Sequence, residues 1–122
     1  MKPTDHAEGG LEIQEVEDRD RTAVVRLRGV LDIRTAPEFL QRVAAIQKRG
    51  QNLVLNLAEV TFIGSSGIGV LLAIAEQFRE QSGQVRFAAP SQAVTYVIKV
   101  LNLGDFLVVD DSEGDSLEAL EG

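Results

Sequence analysis

The run Asn52-Leu53-Val54-Leu55-Asn56-Leu57 constrains the fold more than any other stretch of this chain. A strand with one face in water alternates apolar and polar side chains. This run is nearly all apolar, as expected of an inner strand covered on both faces. Helices supply such cover, and helical spacing stands on either side. Upstream, Phe39, Leu40, Val43, Ala44 and Ile46 form a stripe at three-four spacing that stops at Lys48-Arg49-Gly50. Thr35 and Glu38 have the spacing of a capping box at its start, with Pro37 in the first turn. Downstream, Ile68, Leu71, Leu72, Ala75 and Phe78 form a second stripe that ends at Ser82-Gly83.

The remaining segments fit around this centre. Leu11 and Ile13 alternate with Glu12 and Gln14, Glu17-Asp18-Arg19-Asp20 makes a polar turn, and Thr22 to Arg28 returns as a more apolar strand, so the pair reads as a hairpin. Val85 to Ala89 is a short strand. Pro90-Ser91 opens a third helix with Val94, Val97, Ile98 and Leu101 inward, and Phe106 to Val109 is the last strand. Strands alternating with helices predict a single small α/β domain: a mixed, mostly parallel sheet opened by an N-terminal β-hairpin, with helices packed on the sheet. The domain is expected over residues 11–109, with a flexible arm at 1–10 and an acidic tail at 110–122 that has room for a helical turn or two around Leu117 and Leu120.

Charge and composition narrow the function. The net charge of −7 is carried by the ends, since residues 1–10 contribute −1 and residues 110–122 contribute −6, while 11 basic and 11 acidic residues cancel between them. A neutral body without a concentrated basic face does not fit a nucleic-acid binder. No run approaches the roughly 18 apolar residues needed to span a bilayer, and the first ten residues lack the apolar centre of an export signal. The cytoplasm is therefore the expected compartment. There is no cysteine, and the one histidine, His6, lies in the N-terminal arm, so neither thiolate nor histidine chemistry is expected in the core and no metal or cofactor site is foreseen.

Between the central strand and the second helix stands Phe62-Ile63-Gly64-Ser65-Ser66-Gly67-Ile68-Gly69. Glycines bracket two hydroxyls where the backbone turns, and Ser65 or Ser66 is placed to cap the helix. Three catalytic motifs fail on spacing. A nucleophile elbow starting at Gly64 would need glycine where Ile68 stands. A dinucleotide fingerprint starting at Gly67 would need glycine at Leu72, and a phosphate-binding loop would need a lysine that is absent. Asp32 and Glu59 have no evident partner for acid–base work. The reading is a docking segment, not an enzyme.

Gly29-Val30-Leu31-Asp32 followed by Thr35-Ala36, then Leu53 to Leu57, then Phe62 to Gly69, taken in this order, resemble a STAS domain of the bacterial anti-sigma factor antagonists. The resemblance covers nearly everything from Leu11 to Val109. It implies a switch: the antagonist binds an anti-sigma factor that is also a serine kinase, releases a sigma factor, is turned off by phosphorylation, and is reset by a PP2C-type phosphatase. The position matching the phosphoacceptor is Ser65. Partner binding is expected at Asp32, Thr35, Gly64, Ser65, Ser66, Gly67 and Ile68, of which Asp32 matches the family's aspartate in the loop beside the acceptor. One departure stands out, because the family usually carries aspartate directly before the acceptor and this chain has Gly64. That departure supports the alternative of a STAS scaffold that is not phosphorylated, or a regulatory subunit of a signalling or transport complex.

Overall fold

The computed structural model describes residues 10–18, 21–81 and 83–121. The expected N-terminal arm, with His6, lies outside the described residues apart from Gly10. Five strands form one sheet in the order β1 (Leu11–Asp18), β2 (Thr22–Leu31), β3 (Asn52–Ile63), β4 (Val85–Ala88), β5 (Val109–Asp110). β1 and β2 pair antiparallel, and every later pair is parallel, so the mixed sheet with its opening hairpin is as expected. The helices are α1 (Ala36–Lys48), α2 (Ser65–Glu80), α3 (Gln92–Val100) and α4 (Glu113–Glu121). None of the described helices is long and apolar enough to cross a membrane.

The central strand is covered on both faces, as its composition requires. Leu53, Leu55 and Leu57 join Ala23, Val25 and Leu27 of β2 in the main core, under Phe39, Val43 and Ile46 of α1 and Leu71, Ile74 and Phe78 of α2. Val54, on the opposite face, is buried with Val24 and Ala88 beneath Leu117 and Leu120 of α4.

β3 runs six residues further than its apolar run, to Ile63. Register shifts against β2 fall between Arg26 and Arg28 and between Gly29 and Val30. Each inserts an extra residue in β3, so its buried positions continue as Leu57, Val60 and Ile63, at a spacing of three. A bulge breaks strict alternation and hides a strand from a period-two reading. The last strand is corrected more sharply. Phe106 to Val109 is not a strand: Leu103–Asp105 form a 3-10 turn, Leu107 is buried, Phe106 and Val108 are exposed, and β5 begins at Val109.

The acidic segment beyond Val109 packs on the sheet through specific ion pairs. Arg86 donates to Asp110 from Nε at 2.8 Å and from Nη2 at 3.0 Å, and the buried Ser116 hydroxyl donates to Asp110 Oδ2 at 2.7 Å. Arg26 donates to Glu113 at 2.7 and 3.1 Å, and Asn56 Nδ2 adds a bond at 2.6 Å. These bonds outweigh the cost of burial and hold both carboxyls below the usual carboxylate range, chiefly through Arg86 for Asp110 and Arg26 for Glu113. A depressed folded-state pKa stabilises the fold above the unfolded pKa and loses that contribution as pH falls through the folded value. Urea midpoints are therefore expected to hold from pH 7 to about 5 and to fall below about pH 4. Arg86→Met is expected to cost about 1–3 kcal/mol at pH 7, with the gap to wild type narrowing in acid. A gap independent of pH would contradict this account.

Candidate functional site

β2 and β3 stay paired to their ends, where Leu31 lies opposite Ile63. The turns that follow them are therefore neighbours. The Gly64 N–H donates to the Leu31 carbonyl at 2.9 Å and continues the ladder into the turns. Asp32 comes to rest beside Gly64, and a Cβ on Gly64 would stand 3.7 Å from the Asp32 Cβ.

The β2–α1 turn is built by Asp32 and Thr35. Asp32 Oδ1 accepts from the Arg34 N–H at 2.9 Å and the Thr35 N–H at 3.3 Å, while Arg34 Nε and Nη2 donate to Oδ2 at 3.2 and 2.9 Å. The Thr35 hydroxyl accepts from the Asp32 N–H at 3.0 Å and donates to the Val30 carbonyl at 2.9 Å. The expected capping box does not form: Thr35 sits at the N-cap of α1, but its hydroxyl is spent on the turn and makes no cap bond. The side-chain bond from Arg34 is the largest cause holding Asp32 below the usual carboxylate range, against a smaller opposing effect of burial. A carboxylate so held is a poor general base at neutral pH.

Gly64, not a serine, is the N-cap of α2. It is extended, with φ −94° and ψ −179°, and its carbonyl accepts from the Ile68 N–H at 3.0 Å. Ser65 and Ser66 are the first two residues of the helix, which corrects the expectation that one of them caps it. With Gly67 they bring first-turn N–H groups that have no carbonyl four residues back. Ser65 is exposed and Ser66 half-buried. Gly67 is buried because a Cβ there would lie 2.5 Å from the Leu31 carbonyl oxygen and 2.9 Å from Leu31 Cγ. Glycine is what lets the first turn of α2 rest on the ends of β2 and β3. Ile68 is half-buried and packs against the core, which limits what it presents to a partner.

The structure thus brings Asp32, Thr35, Gly64, Ser65, Ser66 and Gly67 into one patch. It also adds residues that the sequence reading missed. An open apolar groove of about 470 Å³ runs between α1 and α2, with Ile33, Pro37 and Leu40 on one side and Ser66, Gly69 and Ala73 on the other. Ile33 is 74% exposed and Phe62 54% exposed, large apolar side chains flanking the serines. The signal was present as small residues Gly69 and Ala73 one turn apart on α2, opposite Ala36 and Leu40 on α1. Among the described residues no group of three His, Cys, Asp or Glu side chains is arranged to hold a metal ion.

Comparison with known proteins agrees with this geometry. The STAS domain family matches residues 14–116. The anti-sigma-F factor antagonist RsfA of Mycobacterium tuberculosis is 27% identical over 107 residues, covering 85% of this chain and 84% of the relative. The crystal structure of an anti-sigma factor antagonist from Mycobacterium paratuberculosis superimposes with a TM-score of 0.84 at 28% identity, over 95% of this chain and 98% of that one. The Bacillus cell fate determinant SpoIIAA in its phosphorylated form shares the fold, with a TM-score of 0.69 at 21% identity over 92% of this chain and 100% of that one.

The two glycines of α2 differ in what surrounds them, and their alanine variants are expected to move stability in opposite directions. Gly67→Ala meets the Leu31 carbonyl and is expected to cost about 1–3 kcal/mol. Gly69→Ala, with nothing within 4 Å of its Cβ, is expected to gain about 0.5–1 kcal/mol from helix propensity. Chemical denaturation of both variants checks this, and similar midpoints for the two would refute the close-approach explanation.

Proposed function

This chain belongs to the STAS domain family, and from that premise we propose that it is an anti-sigma factor antagonist. It binds an anti-sigma factor that carries serine kinase activity, frees a sigma factor, and is switched off by phosphorylation of Ser65 and reset by a PP2C-type phosphatase, all in the cytoplasm. The observation that carries this reading is the exposed Ser65 at the start of α2 beside the apolar α1–α2 groove. The protein is a regulatory binding protein, not an enzyme.

The physical logic of the switch follows from where Ser65 stands. First-turn N–H groups and the helix dipole favour an anion, so a phosphate on Ser65 leaves the free protein folded. The same phosphate brings about −1.5 to −2 charge to the rim of a groove whose partner must be largely apolar. Desolvating a dianion in such an interface costs several kcal/mol, more than one nearby cation returns. Binding is lost while folding survives. The fold itself tolerates phosphorylation, since SpoIIAA has been solved in a phosphorylated form. Partner contacts are assigned to Asp32, Thr35, Gly64, Ser65, Ser66 and Ile68, with the buried Gly67 setting the turn beneath them, and are joined by the exposed Ile33 and Phe62.

Gly64 favours a second reading, a binding module that is not phosphorylated. A carboxylate directly before the serine is the feature a kinase would read, and this chain has none there. Incubation with the cognate kinase and ATP, read by intact mass, separates the two readings: gain of one phosphate on wild type and none on Ser65→Ala supports the switch, and no gain on either refutes it. Ser65→Asp is expected to weaken the complex about tenfold or more, about 1.4 kcal/mol, with the thermal midpoint nearly unchanged. Wild-type affinity in that variant would sink the proposal.

A further inference from the structure

We propose that Arg34 is the built-in counter-ion of the modified site: when Ser65 carries a phosphate, the guanidinium exchanges the Asp32 carboxylate for the phosphate. The inference rests on the reading of Ser65 as the phosphoacceptor. Asp32 and Arg34 are the only charged residues in the two segments that form the site, 29–37 and 60–75, so Arg34 is their only cation. It is folded back onto Asp32 Oδ2 at 2.9 Å, and Asp32 lies against Gly64, the residue before Ser65.

The exchange is favourable on three counts. The Arg34 side chain is 63% exposed while Asp32 is 19% exposed, and an ion pair whose cation stands in solvent is screened and weak, so moving the guanidinium costs little. A phosphate offers higher charge and three acceptor oxygens to a fork that matches them. Asp32 is not orphaned, because its Oδ1 keeps the Arg34 and Thr35 amides. Gly64 then acquires a purpose. A carboxylate at position 64, with its Cβ 3.7 Å from that of Asp32, would compete for the same guanidinium, and glycine removes the competitor. The exchange also takes the guanidinium off Asp32 Oδ2, so the partner meets a second anionic oxygen near the phosphate.

The test uses the full chain with phosphoserine placed at 65 during synthesis, so it needs no kinase. The second ionisation of the phosphate is followed by phosphorus NMR in wild type, Arg34→Gln and Arg34→Lys. Unmodified Arg34→Gln should melt like wild type, since the side chain is exposed. The titration midpoint is expected to rise by about one pH unit in Arg34→Gln and to return part of the way in Arg34→Lys. The Arg34 Nε–H resonance of wild type should shift on phosphorylation. Equal midpoints in wild type and Arg34→Gln would overturn the proposal and leave the kinase reading untouched, because that reading is decided separately by intact mass.

Discussion

Parallel pairing of β2 with β3 that persists to Leu31 and Ile63, and the hydrogen bond from Gly64 that extends it, is the constraint on which the site depends. Neither turn could be placed by its own sequence. Asp32 meets Gly64 only because two bulges in β3 bring Ile63, and not an earlier residue, opposite Leu31. Moving the register by one residue would turn Ile63 out of the core and separate Asp32 from the serines. The position of the Ser65 hydroxyl is therefore a property of the ladder as much as of the segment around it.

The polar interactions divide by their surroundings. On the face under α4, Arg86 and Asp110 are largely sheltered, their side chains 20% and 14% exposed, and each carboxyl there is satisfied by more than one donor. That arrangement fixes a helix with weak apolar cover of its own. Around Asp32 the carboxylate is similarly sheltered, but its arginine is 63% exposed, so that guanidinium rearranges at little cost. One chain thus uses arginine–carboxylate pairs in two ways, as a fastening where both partners are sheltered and as an adjustable contact where the arginine reaches into solvent.

Most of the architecture was legible where side-chain pattern and backbone geometry agree. The apolar run at Leu53 to Leu57, the stripes of α1 and α2, and the opening hairpin each follow from periodicity. What escaped was set by partners distant in sequence. The extension of β3 is hidden by its bulges, and the false strand at Phe106 to Val109 was an apolar run whose amides find little of the sheet to pair with. The Asp110 and Glu113 carboxylates looked like solvated tail charges because Arg86 and Arg26 lie far back in the chain. At the site, the serine segment and Asp32 were visible as residue types, but the role of Thr35 in the turn and the groove beside Ser66 required the tertiary arrangement.

The two edges of the sheet have a consequence for how this protein can associate. β5 is two residues long and ends in Asp110, too short to template a neighbour. β1, the other edge, is longer, but a register shift interrupts it between Glu15 and Glu17, and Glu12 and Glu15 place charge along it. Neither edge offers a long, flat, uncharged row of amides, so addition of a foreign strand is disfavoured on both sides. Association through side chains is what these edges leave open, and Asp32, Ser65 and Ser66 stand together at one end of the sheet, away from both edges.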